Sequence, residues 1–147
     1  MSTVLANYNG DVIAWANEQA QLLRAGQFSQ LDIEHIADEI EDVGRSEQRE
    51  LASRMTVLIA HLLKWKYQHE RKSSSWRQTI KIQRIDTSYA LKKMPSLKVN
   101  FNDAEWMEVV WEKAKAQAMS ETNLDIFPEN LPWSVEQILN PDFWPEA

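Results

Sequence analysis

The sequence predicts an all-α fold: a single helical bundle of about five helices, with a proline- and tryptophan-rich C-terminal arm packed on it. Three observations carry this. Apolar residues recur at helical spacing in five successive stretches, and none alternates apolar with polar residues as a half-buried strand would. Glycine and proline number only three and five in 147 residues, which argues against a turn-rich β fold. Cysteine is absent, so no disulfide or thiolate metal site can substitute for a hydrophobic core, and the chain is long enough to bury one. We expect one domain over residues 1–147, with the bundle at 11–121 and the arm at 122–147.

The first helix is expected at about 11–25. Asn9 and Asp11 are entry signals, Gly26 is a stop, and Val12, Trp15, Leu22 and Leu23 share a face. Asp32 then caps a second helix, whose clean apolar stripe is Ile33, Ile36, Ala37, Ile40 and Val43. Its acids and His35 lie off that stripe, so the stripe should face the core and His35 the solvent. Gly44 should break or kink this helix, and Ser46 should cap a third, about 47–69. That third helix carries two adjoining stripes: Leu51, Met55, Leu58, Leu62 and Trp65, and Ala52, Thr56, Ile59, Leu63 and Tyr67. Apolar surface around more than half its circumference makes it the central helix.

Ser73–Ser75 form a turn and cap for a fourth helix, about 76–94, which Pro95 stops. One of its faces carries Trp76, Ile80, Thr87, Leu91 and Met94, and the opposite one Ile82, Ile85 and Tyr89. This implies burial on two sides of the basic row Arg77, Lys81 and Arg84. Asn102 is the expected cap of a fifth helix, about 103–121, with Met107, Val110, Trp111, Ala114 and Ala118 inward. The arm holds four of the five prolines. Ser134 with Gln137 marks one short helical turn over Val135–Leu139, and Phe127, Trp133, Phe143 and Trp144 should anchor the rest.

Charge is strongly segregated. Residues 29–50 carry eight acids against two bases, residues 64–98 ten bases against two acids, and residues 99–147 ten acids against two bases. Such a chain can neutralise itself on folding, and the net charge of −6 argues against a nucleic-acid partner. The longest apolar run, Val57–Leu63, contains His61 and falls far short of the ~20 residues that cross a bilayer. With no signal peptide visible and no cysteine, we expect a soluble, cytoplasmic protein that does not engage a membrane.

All three histidines lie between Leu31 and Trp76. His35 and Glu39 share a helix face and could join His61 around a metal. The spacing matches no His-Glu-x-x-His or di-iron pattern, so no metal and no cofactor is expected. His61 borders the core stripe, where a half-buried imidazole can act as acid or base; we favour a core-edge histidine satisfied by backbone or by an acid. Arg77, Lys81 and Arg84, beside Trp76, are the best candidate anion site. The competing and favoured reading pairs this row with Glu39, Asp42 or the acidic last helix, because buried cations need partners. Ser73–Ser75 lack a glycine elbow, and the scattered glycines cannot form a phosphate loop.

Several strings occur in order along nearly the whole chain: Ala37-Asp38-Glu39-Ile40-Glu41-Asp42-Val43-Gly44-Arg45-Ser46-Glu47, His61-Leu62-Leu63-Lys64-Trp65, Ser75-Trp76-Arg77-Gln78-Thr79-Ile80, Pro95-Ser96-Leu97, Glu121-Thr122, Phe127-Pro128 and Pro132-Trp133. In these the chain resembles the bacterial family called domain of unknown function twenty-nine, abundant in cyanobacteria. The resemblance implies a small, soluble, all-helical domain and no assigned activity. The family's two acids in the first string are met by Asp38 and Glu39. Its proline where this chain has His69 argues against a role for His69. The resemblance also places Glu39, His61, Trp76 and Arg77 in recurrent strings.

The expected function is therefore that of a non-catalytic helical interaction module with a protein partner, a second copy of the chain included. The alternative is an enzyme or small anionic-ligand-binding domain. Its polar pocket would lie between the second, third and fourth helices and be built from Glu39, Asp42, His61, Trp76, Arg77 and Arg84. A third reading is nucleic-acid binding through the fourth helix.

Overall fold

The computed structural model describes residues 5–146. Its α-helices are α1 (Val12–Arg24), α2 (Ile33–Tyr67), α3 (Ser74–Lys93), α4 (Ala104–Thr122) and α5 (Val135–Leu139). Turns of 3-10 helix occur at Phe28–Gln30, His69–Arg71 and Pro95–Asn102. No strand occurs among the described residues, so the fold is all-α. The chain falls into two compact units, one ending at Ser46 and one beginning at Glu47, and α2 contributes residues to both.

In the first unit Asp11 caps α1 by accepting from Ala14 N at 3.1 Å. Gly26 takes φ 72°, the left-handed conformation that lets the chain leave the helix. Trp15 and Gln19 are the buried side chains of α1. Both reach Asp32: the Trp15 indole donates to Asp32 Oδ2 at 3.0 Å, and Asp32 N donates to Gln19 Oε1 at 2.8 Å. Asp32 thus fastens α1 to the start of α2.

Two expectations fail in this unit. The second and third helices of the sequence reading are one helix of 35 residues. Gly44 and Ser46 lie inside it, and a Cβ at Gly44 would meet nothing within 4 Å. A glycine in an open helix costs about 1 kcal/mol against alanine, too little to break a helix held on both sides. The apolar stripe is also turned the wrong way. Ile33, Ile40 and Val43 are 68, 67 and 66% exposed, whereas His35, Glu39 and Asp42 are half-buried. The reason is the aromatic and hydrogen-bonding set presented by Tyr8 and Trp15, which binds the polar face of α2 and leaves Ile33, Ile40 and Val43 outside, with Ile36 half-buried.

The second unit is built on α2 from Leu51 to Trp65. Met55, Leu58, Ile59, Leu62 and Leu63 have no exposed surface, as both expected stripes require. Ile80 and Leu91 of α3, Leu97 of the 3-10 run, Val110, Trp111, Ala114 and Ala118 of α4, and Ile138 of α5 join them in one core. Ser73 caps α3 through Trp76 N at 3.1 Å. Asp103, not Asn102, caps α4, accepting from Glu105 N and Trp106 N at 3.1 and 3.2 Å. Asn102 is taken up by the preceding 3-10 run, an element the apolar spacing did not reveal. Asn123 ends α4 at φ 59°.

The arm is pinned as the tryptophans imply. Trp144 packs on Trp65 with ring centroids 4.7 Å apart, and Phe127 meets Tyr67 edge-on at 5.4 Å. Trp133 contacts Phe143, and Ser134 with Gln137 forms the expected capping box on α5. The outer face of α3 departs from expectation: Ile82, Ile85 and Tyr89 are 50, 66 and 62% exposed. The core is filled from the Ile80 side, so α3 is buried on one side, not two. Leu58→Ala should cost about 2–5 kcal/mol of stability, whereas Ile33→Ala should stay within about 0.5 kcal/mol. Urea unfolding followed by circular dichroism reads both.

Candidate functional site

In the first unit Glu39 accepts the Tyr8 hydroxyl hydrogen bond, and Asp42 accepts from Arg45 Nη1 at 2.5 Å. Around Glu39 stands a cluster the sequence reading missed. The Tyr8 ring stacks on His35 at 4.1 Å with the planes 13° apart, and Trp15 meets Tyr8 edge-on at 4.7 Å. His35 Nδ1 lies 2.7 Å from Asp32 Oδ2. The His35 hydrogen bond, with help from the Trp15 indole, holds the Asp32 carboxyl below its ordinary value despite some desolvation. The Glu39 hydrogen bond, with desolvation and the neighbouring acids, pushes Tyr8 up to about 12. The one sequence signal for this cluster was His35 lying three residues after the cap Asp32.

In the second unit His61 is half-buried, and its Nδ1 meets Val57 O at 2.8 Å. Burial lowers its pKa; the Val57 carbonyl opposes this, and nearby Lys64 adds to it. Lys64 is a further residue whose role the sequence did not reveal. It is 6% exposed and pairs with Glu121 Oε2 at 2.5 Å, linking α2 to α4. Its ammonium also stands 5.1 Å from the Trp76 ring centroid. Burial disfavours the Glu121 carboxylate, but the Lys64 and Gln117 hydrogen bonds outweigh that and leave its pKa lowered. His61, Lys64, Trp76 and Glu121 therefore share one electrostatic neighbourhood. Its signal was a lysine closing the apolar run Val57–Leu63.

Arg77 and Arg84 are met by groups other than the carboxylates expected for the basic row. Arg77 is exposed, 5.3 and 5.5 Å from the Trp65 and Trp144 ring centroids. Arg84 is 3% exposed. Its Nε donates to Ile138 O at 2.8 Å, and its Nη2 to Phe143 O at 2.7 Å. Its guanidinium also lies 5.3 Å from the Trp144 centroid. Arg84 is thus a clamp that ties the arm to α3, and burial lowers its pKa. Its Nη1 has no hydrogen-bond partner. Beside it a groove of about 380 Å³ is lined by Lys81, Arg84, Ile85, Ser88, Leu139 and Pro141. Lys81 has no ion pair among the described residues.

Among the described residues no three histidine or carboxylate side chains gather as a metal would need, and no helix is long and apolar enough to cross a membrane. A family model described as "Domain of unknown function DUF29" matches residues 7–144. No curated protein and no solved structure matches the chain.

Two outcomes follow from these environments. Because the folded chain holds the His61 pKa below its unfolded value, the unfolded chain binds more protons as pH falls through about 6.5. Stability should therefore drop between pH 7.5 and 5.5, and drop less in His61→Gln; urea midpoints at the two pH values check this. Glu39→Gln should return Tyr8 from about 12 toward 10, read by phenolate absorbance in an alkaline titration.

Proposed function

The chain belongs to the DUF29 family, whose description assigns it no activity, and we propose that it is a non-catalytic helical interaction module. The observation that carries this is the outward stripe of α2. Ile33, Ile40 and Val43, each about two-thirds exposed, follow one another at seven and three residues, with exposed Ala37 between them. This is the spacing with which one helix receives another. A contiguous apolar face of this kind marks a contact surface. Exposed Glu34 and Asp38 run alongside it without an ion pair among the described residues, while Glu41 is paired with Arg45 at 2.7 Å, so the partner that fits is an amphipathic helix with apolar anchors and basic flanks.

The groups an enzyme would use are committed elsewhere. Glu39 receives Tyr8, His61 leans on a backbone carbonyl, and Arg84 holds the arm. A second reading, a site for a small apolar anion, draws on one feature: the partnerless Nη1 of buried Arg84 beside the groove that Lys81 rims. Hexanoate and inorganic phosphate are its probes. Hexanoate binding that is lost in Lys81→Ala would favour it, and no response to either would remove it.

The docking reading is tested with a synthetic leucine-rich helix flanked by lysines. Fluorescence anisotropy should show binding to the full chain, weakened about tenfold or more by Ile40→Asp, as for an apolar anchor. Equal binding by both proteins would end the proposal.

A further inference from the structure

The α2 stripe asks for an apolar helix face bordered by positive charge, and the chain itself carries one. On α3 the exposed Ile82, Ile85 and Tyr89 stand at i, i+3 and i+7, one face of a helix, as are the exposed Ile33, Ala37 and Ile40 at i, i+4 and i+7 on α2. Lys81, Lys92 and Lys93 are exposed around them, Lys93 with its ammonium 5.7 Å from the Tyr89 ring centroid. The acid of that region, Asp86, is paired with Arg54 at 3.2 Å. Ile85 also borders the groove completed by Leu139 and Pro141, with Lys81 on its rim. That groove is a concave seat for an aliphatic side chain, and a neighbouring cation stands ready for a carboxylate.

We propose that the partner is a second copy of this chain: the acid-bordered face of α2 in one copy docks on the lysine-bordered face of α3 in another. The inference rests on the docking reading above and names its occupant. Charge decides the pairing. Two α2 faces would set Glu34 and Asp38 against their equivalents, and two α3 faces would oppose lysines. Only the crossed contact brings opposite signs together, which favours it and rejects the like pairings. Because the two surfaces differ, each contact leaves one face of each kind free on the pair. Association then closes into a ring or continues as a chain. Each stripe spans two to three helical turns, so the contact belongs to the small, weak class that forms and breaks readily.

Sedimentation velocity of the full chain, from about 10 µM to about 1 mM, suits that weak class. The weight-average sedimentation coefficient should rise with concentration, and rise less at high salt because the bordering charges are screened. Ile40→Asp and Ile85→Asp should each sediment as monomers, with helix content and thermal midpoint unchanged. Mixed in equal amounts they should recover a one-to-one complex, since one supplies an intact α3 face and the other an intact α2 face. Glu34→Lys combined with Asp38→Lys, which changes only exposed side chains with no ion pair among the described residues, should repeat the loss seen with Ile40→Asp. Association of either aspartate variant by itself, or a mixture that stays monomeric, overturns the crossed contact. A wild-type chain that stays monomeric at about 1 mM also overturns it. If that chain still captures the lysine-flanked synthetic helix through Ile40, the docking reading stands with a different occupant. If it does not, both fall.

Discussion

The withdrawal of α2 from water between Leu51 and Trp65 is the constraint on which the second unit depends. Five large side chains on this stretch have no exposed surface at all, so no single neighbour can cover them. α3, the Pro95–Asn102 run, α4 and α5 each bring part of the cover. The burial supplies the dominant favourable free energy of this unit. It also fixes which face of each surrounding helix must turn inward. Once Ile80, Thr87 and Leu91 of α3 are turned inward and buried, helical periodicity leaves Ile82, Ile85 and Tyr89 outside. The exposed face of α3 is thus a consequence of where the core was filled.

Polar groups then tie the cover in place. Arg84 spends two of its donors on arm carbonyls, which turns a buried cation into a fastening for the last segment of the chain. Lys64 and Glu121 do the same between α2 and α4. These are costly groups to bury and strongly directional once buried. They set the register of the arm and of α4 more sharply than apolar contact alone. His61 sits at the edge of the same region, and its lowered pKa reflects burial with a cation nearby.

The first unit follows a different rule. Its apolar stripe on α2 is among the cleanest in the chain, yet it faces solvent. Half-buried Tyr8, Asp32, His35 and Glu39 instead form, with buried Trp15, an interlocked polar and aromatic cluster. Each partner there satisfies a group that would be expensive to leave unpaired. The stripe keeps its apolar surface for another molecule, which is the basis of the interaction reading.

The sequence by itself determined the all-α class, the central rod at Leu51–Trp65, the caps at Asp11 and Ser73, the capping box of α5 and the anchoring aromatics of the arm. Each follows from spacing or from a side chain acting on its own backbone, information carried by neighbours along the chain. Tertiary structure alone decided three other things: that α2 runs unbroken through Gly44, that Ile33 and Ile40 face outward, and that Arg84 clamps carbonyls instead of pairing with acids. Periodicity reports that a helix has an apolar face without reporting what covers it. Which surface is covered depends on groups distant in sequence, such as Tyr8 against His35 or Ile138 against Arg84. Of the six candidate site residues, local pattern marked the position of each and the ionisable character of all but Trp76. Asp42 and His61 find Arg45 and Val57 within one helical turn, whereas Glu39, Arg77 and Arg84 are met by Tyr8, Trp144 and the arm carbonyls, distant in sequence and beyond the reach of any helical repeat.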